Sequence, residues 1–294
     1  MKMKIVFLIF LLLFQIIPSS DSKEKFSFHE EISIPFVTED MVNQPVDIVF
    51  HFSNPCWAID EERHSVRVFY SDGKMEKEIE SQIYNLSFTD GEHIKSCNIV
   101  FLLQGKGKYF IYYDDEPTSS PNYPDHVSIS DASYYYEPIP GYFVDLNYYR
   151  IMEDGYCLYG IGQRGTFLGI DMSQKVIKQL NGKKEFNIGN WGQLASFAMF
   201  WYEDRDKGTD EKLLSKEILV DGNLMVRVGL VSTSKEGEVR TTSFYTYYYS
   251  PDEEKRLIVS VHHEVLKSLS INGIVEEDGM YVYLLTVKGR SASI

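Results

Sequence analysis

Short runs rich in tyrosine, phenylalanine, valine and isoleucine recur along most of the chain, and turn-forming residues punctuate them. The runs are Val46–Phe52, Ser65–Tyr70, Ile94–Leu103, Tyr109–Asp114, Tyr142–Ile151, Ala195–Tyr202, Leu224–Val231, Val239–Tyr249, Leu257–Val265 and Tyr281–Val287. β-Branched and aromatic side chains pack well on a pleated surface, so these runs predict strands. Ser71-Asp-Gly73, Thr89-Asp-Gly91, Gly105-Lys-Gly107, Asp221-Gly222 and Asp278-Gly279 supply the turns between them. Only Ser173–Leu180 and Thr209–Lys216 read as helices, and neither has the length of a crossover, which argues against a parallel α/β sheet. The expected fold is all-β: two antiparallel β-sandwich domains behind a signal peptide.

Pro117, Pro121, Pro124, Pro138 and Pro140 fall among Ser, Asn and Asp residues. Proline cannot donate to a sheet ladder, so residues 117–140 read as a linker between a first sandwich at 23–116 and a second at 141–294. Tyr134-Tyr-Tyr136 within it also suits a short edge strand or an aromatic cover.

The first 22 residues have a different character. Lys2 and Lys4 precede the apolar run Ile5–Ile17, and Pro18-Ser-Ser-Asp-Ser22 follows it. Basic start, short apolar helix and small polar exit are the order of an export signal, with Ser20 and Ser22 at the peptidase's small-residue sites. The run is shorter than the ~20 residues that span a bilayer, so residues 1–22 are expected to be removed near Lys23. Membrane contact is then expected only through an uncleaved segment, and the location is secreted or cell surface. The chain carries 43 acidic and 29 basic residues, a net charge of −14. Nucleic acid needs a basic face that displaces counterions, so it is not an expected partner.

In an oxidising compartment two of the three cysteines, Cys56, Cys97 and Cys157, can pair. Cys56 and Cys97 fall in one domain beside strand-like residues and are the expected bridge. Their spacings do not resemble a zinc site, so no metal is expected. Asn85-Leu-Ser87 is an acceptor triplet for an N-linked glycan.

Two blocks carry resemblances. Asn43-Gln-Pro-Val-Asp-Ile-Val-Phe50, Val66-Arg-Val-Phe-Tyr-Ser-Asp-Gly73, Glu80-Ser-Gln-Ile-Tyr84 and Tyr109-Phe-Ile-Tyr-Tyr-Asp-Asp115 together resemble the small β-sandwich modules of secreted prokaryotic proteins, which end in a similar strand. That resemblance implies a binding or spacer module with no catalytic residue. Asp221-Gly-Asn-Leu-Met-Val-Arg-Val-Gly229, Thr241-Thr-Ser-Phe-Tyr-Thr-Tyr247 and Arg256-Leu-Ile-Val-Ser-Val-His-His-Glu264 are similar in layout to the large sandwich of galactose-mutarotase-like proteins and polysaccharide lyases. Asn223 and Leu224 depart from that pattern, and residues 141–294 are fewer than that sandwich usually takes.

Gly160-Ile-Gly-Gln-Arg-Gly165 fits a dinucleotide fingerprint by letter, but the strand-like Thr166–Ile170 follows it where a helix is required. It reads as a hairpin turn, and neither a nucleotide nor any other cofactor is expected. Strand alternation puts His262 and Glu264 on one face and His263 among apolar neighbours on the other. Arg227 occupies the corresponding face of its strand. If those strands adjoin, Arg227 can anchor a sugar carboxylate with His262 as acid/base and Tyr245 and Glu264 nearby. The same residues also suit a cross-strand polar ladder on a solvated sheet. Trp57, Trp191, Trp201 and Tyr135 are candidate rings for sugar stacking, Trp191 foremost because Asn187–Gly192 reads as a loop. Asp60-Glu-Glu-Arg-His64 and Asp114-Asp-Glu116 lack the ligand alternation of a calcium loop and read as charged turns. The reading that accommodates most of these features is an exported, non-catalytic carbohydrate- or surface-binding protein, with glycan or another surface protein as partner. The competing classes are a polysaccharide lyase-like enzyme, or a fragment of one, and a structural cell-envelope protein.

Overall fold

A computed structural model describes residues 26–34, 37–139, 142–164, 174–178, 194–196, 212–234, 236–252, 255–268, 283–287 and 290–293. Residues 1–22, read as an export signal, together with Trp191, Trp201 and the Asp278-Gly279 turn, lie outside these residues. Every paired strand is antiparallel, and the one helical element among the described residues is a 3-10 turn at Glu39–Met41.

The first sandwich contains β1 (Phe28–Ile32), β2 (Pro45–Trp57), β3 (Arg67–Ser71), β4 (Glu76–Ile79), β5 (Ser81–Phe88), β6 (His93–Leu102) and β7 (Lys108–Tyr113). One sheet has the order β1-β7-β3-β4 and the other β2-β6-β5. Alternate residues of each, including Val68, Tyr109 and Ile111 from the first and Ile83, Cys97, Ile99 and Phe101 from the second, share one buried core. Two turns close by the same device: Asp72 accepts from the backbone N–H groups of Lys74 and Met75, and Asp90 from those of Glu92 and His93. Between β6 and β7 the backbone passes so close to β3 that a Cβ on Gly107 would lie 2.3 Å from the Ser71 carbonyl oxygen.

The second sandwich contains β8 (Val127–Ile139), β9 (Tyr142–Glu153), β10 (Tyr156–Arg164), β11 (Gln174–Lys178), β12 (Leu194–Ser196), β13 (Lys212–Asp221), β14 (Met225–Thr233), β15 (Val239–Tyr248) and β16 (Leu257–Val265). Its sheets run β12-β11-β10-β9-β8 and β13-β14-β15-β16. Ile129, Ile151, Tyr159 and Ile161 of one pack on Val226, Val228, Tyr245 and Tyr247 of the other. A separate hairpin pairs β17 (Tyr283–Val287) with β18 (Arg290–Ser293).

Four expectations are corrected. The segment read as a linker at 117–140 contains β8, so the connection ends before Val127. Pro138 is accommodated because β8 is an edge strand and its register shifts between Tyr136 and Ile139. The two segments read as helices hold β11 and β13; in β13 the helix-like apolar spacing comes from register shifts next to Leu214 and Leu219. Gly160 and Gly162 are not a turn but lie inside β10, opposite Arg150 and Tyr148 of β9. Cys56 and Cys97 are both buried free thiols rather than a bridge. Burial raises both thiol pKa values, that of Cys56 to about 12.

Candidate functional site

The connection after β7 is laid against the first sandwich. Arg67, buried, donates to the carbonyls of His64 (3.2 Å), Val66 (2.8 Å) and Ser119 and lies 3.4 Å from the Glu78 carboxylate. The Tyr123 hydroxyl donates to Glu78 at 2.7 Å. His126 closes the connection: its ring stacks on Tyr249 at 4.0 Å and lies between Glu80 (2.9 Å) and Asp154 (3.3 Å).

Beyond His126 the sandwiches meet in a seam. Gln82 of β5 crosses it and acts as a backbone surrogate. Its carbonyl oxygen accepts from the N–H groups of Leu224 (2.9 Å) and Met225 (2.7 Å), and its amide donates to the Met225 carbonyl (3.1 Å). Tyr84, Val100, Val220, Leu224 and Met225 bury their side chains around it. Gly222 is a close-approach position, since a Cβ there would lie 2.2 Å from the Gln82 amide nitrogen.

Alternate positions on β2, β5 and β6 carry Asp47, Tyr84 and Asn98 to the outer face of the first sandwich, where they meet Arg227 and Tyr248 from the outer face of the second. Asp47 accepts from the hydroxyls of Tyr84 (2.8 Å) and Tyr248 (2.6 Å) and from the Asn98 amide (3.1 Å). The Arg227 guanidinium lies 3.9 Å from Asp47, stacks 5.3 Å over the Tyr84 ring and donates from Nε to Thr246 at 2.9 Å. Burial, then the hydrogen bond to Asp47, pushes the Tyr84 hydroxyl up to about 12, and the same causes raise Tyr248. Both phenols are held protonated as donors, which is opposite to what a proton-abstracting base requires.

The structure does not gather the remaining lyase candidates around Arg227. On β15 Arg227 faces Thr246, whereas His262 faces Thr242. Four residues along a strand and two strands across separate them by about 13 Å and about 10 Å in the sheet. Exposed Glu264 pairs with exposed Arg240 at 3.3 Å, one rung of a cross-strand polar ladder. Tyr245 belongs to the opposite face and is fully buried in the core. His263 is half-buried, with Nδ1 2.9 Å from the Thr241 hydroxyl, and burial lowers its pKa. Among the stacking candidates, Trp57 ends β2 half-buried, its backbone N–H donating to the Asp114 carbonyl at 2.7 Å, and Tyr135 lies in β8 opposite Asp145.

Comparison with protein-family models, curated proteins and solved structures finds no match.

The residues that build the seam, Asp47, Gln82, Tyr84 and Tyr248, escape a reading of single strands. One signal was present: Asp47 interrupts an otherwise apolar Val46–Phe50, which marks it for a polar partner on the outer face. Apolar side chains flank the seam on these outer faces. Val49 is 62% exposed two residues beyond Asp47, and Ile258 is 54% exposed beside Thr246. Phe244 (39%) and Leu219 (40%) close over Gly229, where a Cβ would lie 3.2 Å from the Leu219 methyl. Among the described residues no three His, Cys, Asp or Glu side chains converge as a metal site, and no helix is long and apolar enough to cross a membrane.

Proposed function

We propose that this chain is an exported, non-catalytic binding protein whose paired sandwiches present a fixed surface to a glycan or to another surface protein. The observation that carries the reading is the state of Arg227. An arginine that anchors a substrate carboxylate needs its guanidinium free, and here Thr246, Tyr84 and Asp47 hold it as part of the seam. With His262 far from it and Tyr245 in the core, the described residues offer no convergent set of groups for acid/base chemistry on a uronate.

Binding draws support from the outer faces. Scattered exposed apolar residues are ordinary, but Leu219, Phe244 and Ile258 adjoin on one sheet face rimmed by Arg227, His262 and Arg240, an arrangement found at interaction surfaces. Rigid anchoring of that face through Gln82 and Asp47 lowers the ordering cost of association.

The test is a glycan-array screen of the mature chain, paired with capture of surface proteins and an ultraviolet assay for unsaturated uronate. Binding that is lost in Phe244→Ser/Ile258→Ser and kept in His262→Ala supports the proposal. Uronate formation that disappears in His262→Ala overturns it in favour of a lyase.

A further inference from the structure

The acceptor triplet Asn85-Leu86-Ser87 is not used by the seam, and its conformation is unusual for a strand. It lies in β5, the edge strand of β2-β6-β5, where the pairing with β6 shifts register between Tyr84 and Ser87. Asn85 is exposed and has φ of 56°, in the left-handed region, so the chain turns out of the ladder at this residue. Its backbone N–H donates to the Glu61 carboxylate at 3.3 Å rather than to a neighbouring strand.

We propose that Asn85 is an N-linked glycosylation site. The reaction joins the Asn85 amide nitrogen to C1 of an oligosaccharide carried on a lipid pyrophosphate. The C1–O bond to phosphate breaks, the lipid pyrophosphate departs and the amide gives up one proton. The folded structure accommodates the product. Asn85 Nδ2 donates a single hydrogen bond, to Asn98 Oδ1 at 3.1 Å, and the hydrogen that remains after modification maintains it. No buried group is displaced. Asn85 is exposed, so the attached sugar has room toward solvent. Asn98 also bonds Asp47, so the glycan would begin one side chain away from the seam.

The inference rests on the export reading, and the test separates the two. The full chain with its own N-terminal segment is expressed in a eukaryotic secretory host, and a second version carries a proven export signal. The expected result is one step of mobility removed by peptide N-glycosidase, with conversion of Asn85 to Asp in the released peptide and no step in Asn85→Gln or Ser87→Ala. Export with Asn85 unmodified, in either version, overturns the site. Retention of the first version with modification of the second refutes the native export segment and supports the site.

Discussion

Replacing Gln82 with methionine tests whether one side chain fastens the two sandwiches. Methionine keeps the length and volume of glutamine and removes hydrogen bonds of 2.7, 2.9 and 3.1 Å. The Met225 carbonyl still accepts from Gly222 N–H at 3.2 Å, so the loss falls on two donors, the N–H groups of Leu224 and Met225. A buried unsatisfied donor costs ~1–3 kcal/mol, and local relaxation recovers part of it, so Gln82→Met should destabilise the protein by about 3 kcal/mol. Urea unfolding followed by circular dichroism reads this as a lower midpoint. Gly222→Ala supplies the internal control. Its Cβ would press to 2.2 Å on the Gln82 amide, which its hydrogen bonds hold in place, so the substitution should be costly in the native background and much less so with Gln82→Ala. A coupling of at least ~1 kcal/mol is expected between the two sites. A loss below ~0.5 kcal/mol for Gln82→Met, together with additive costs in the cycle, would refute the idea that Gln82 serves as a backbone surrogate.

Asp47→Ala removes the common acceptor of Tyr84, Tyr248 and Asn98 and leaves Arg227 without a carboxylate, so about 2–4 kcal/mol should be lost, whereas His262→Ala, on an exposed rung, should stay within ~0.5 kcal/mol in the same unfolding assay. His64 is buried, and burial and then the charge of Arg67 push its pKa down to about 3, while its Nδ1 has no partner. Because the unfolded chain takes up a proton near pH 6.5 and the folded chain does not, stability should fall as pH drops from 6.5 towards 3, and His64→Leu should fall less steeply over that range. Cys56 and Cys97, buried with raised pKa values, should resist a thiol reagent in the native protein and react once urea unfolds it.

The strands with alternating β-branched and aromatic residues were legible in the sequence because burial on one face imposes that alternation. β16 coincides with the run read from residues alone, and Asp72 and Asp90 mark hairpins through their own side chains. β4 and β13 were not legible: β4 is charged and gains its conformation from its partner strand, where Lys77 faces Tyr70, and in β13 the register shifts give the apolar residues a helical spacing. The same distinction governs the candidate site. Alternation placed Arg227, His262 and Glu264 on one face correctly, but only the pairing register reveals that Thr246 and Thr242 keep Arg227 and His262 apart. Gln82 and Met225 are separated by 143 positions, and no local pattern in either strand announces the other.

The seam also sets a timetable for synthesis. Its first-sandwich half is complete once Val100 has been made, yet the side that covers it ends with Tyr248, about 150 residues later. At ~5–20 residues per second, the nascent chain displays Tyr84, Val100 and the unpaired amide of Gln82 to its surroundings for roughly 7–30 s. During that interval the half-made protein offers an adhesive patch that the finished one has sealed.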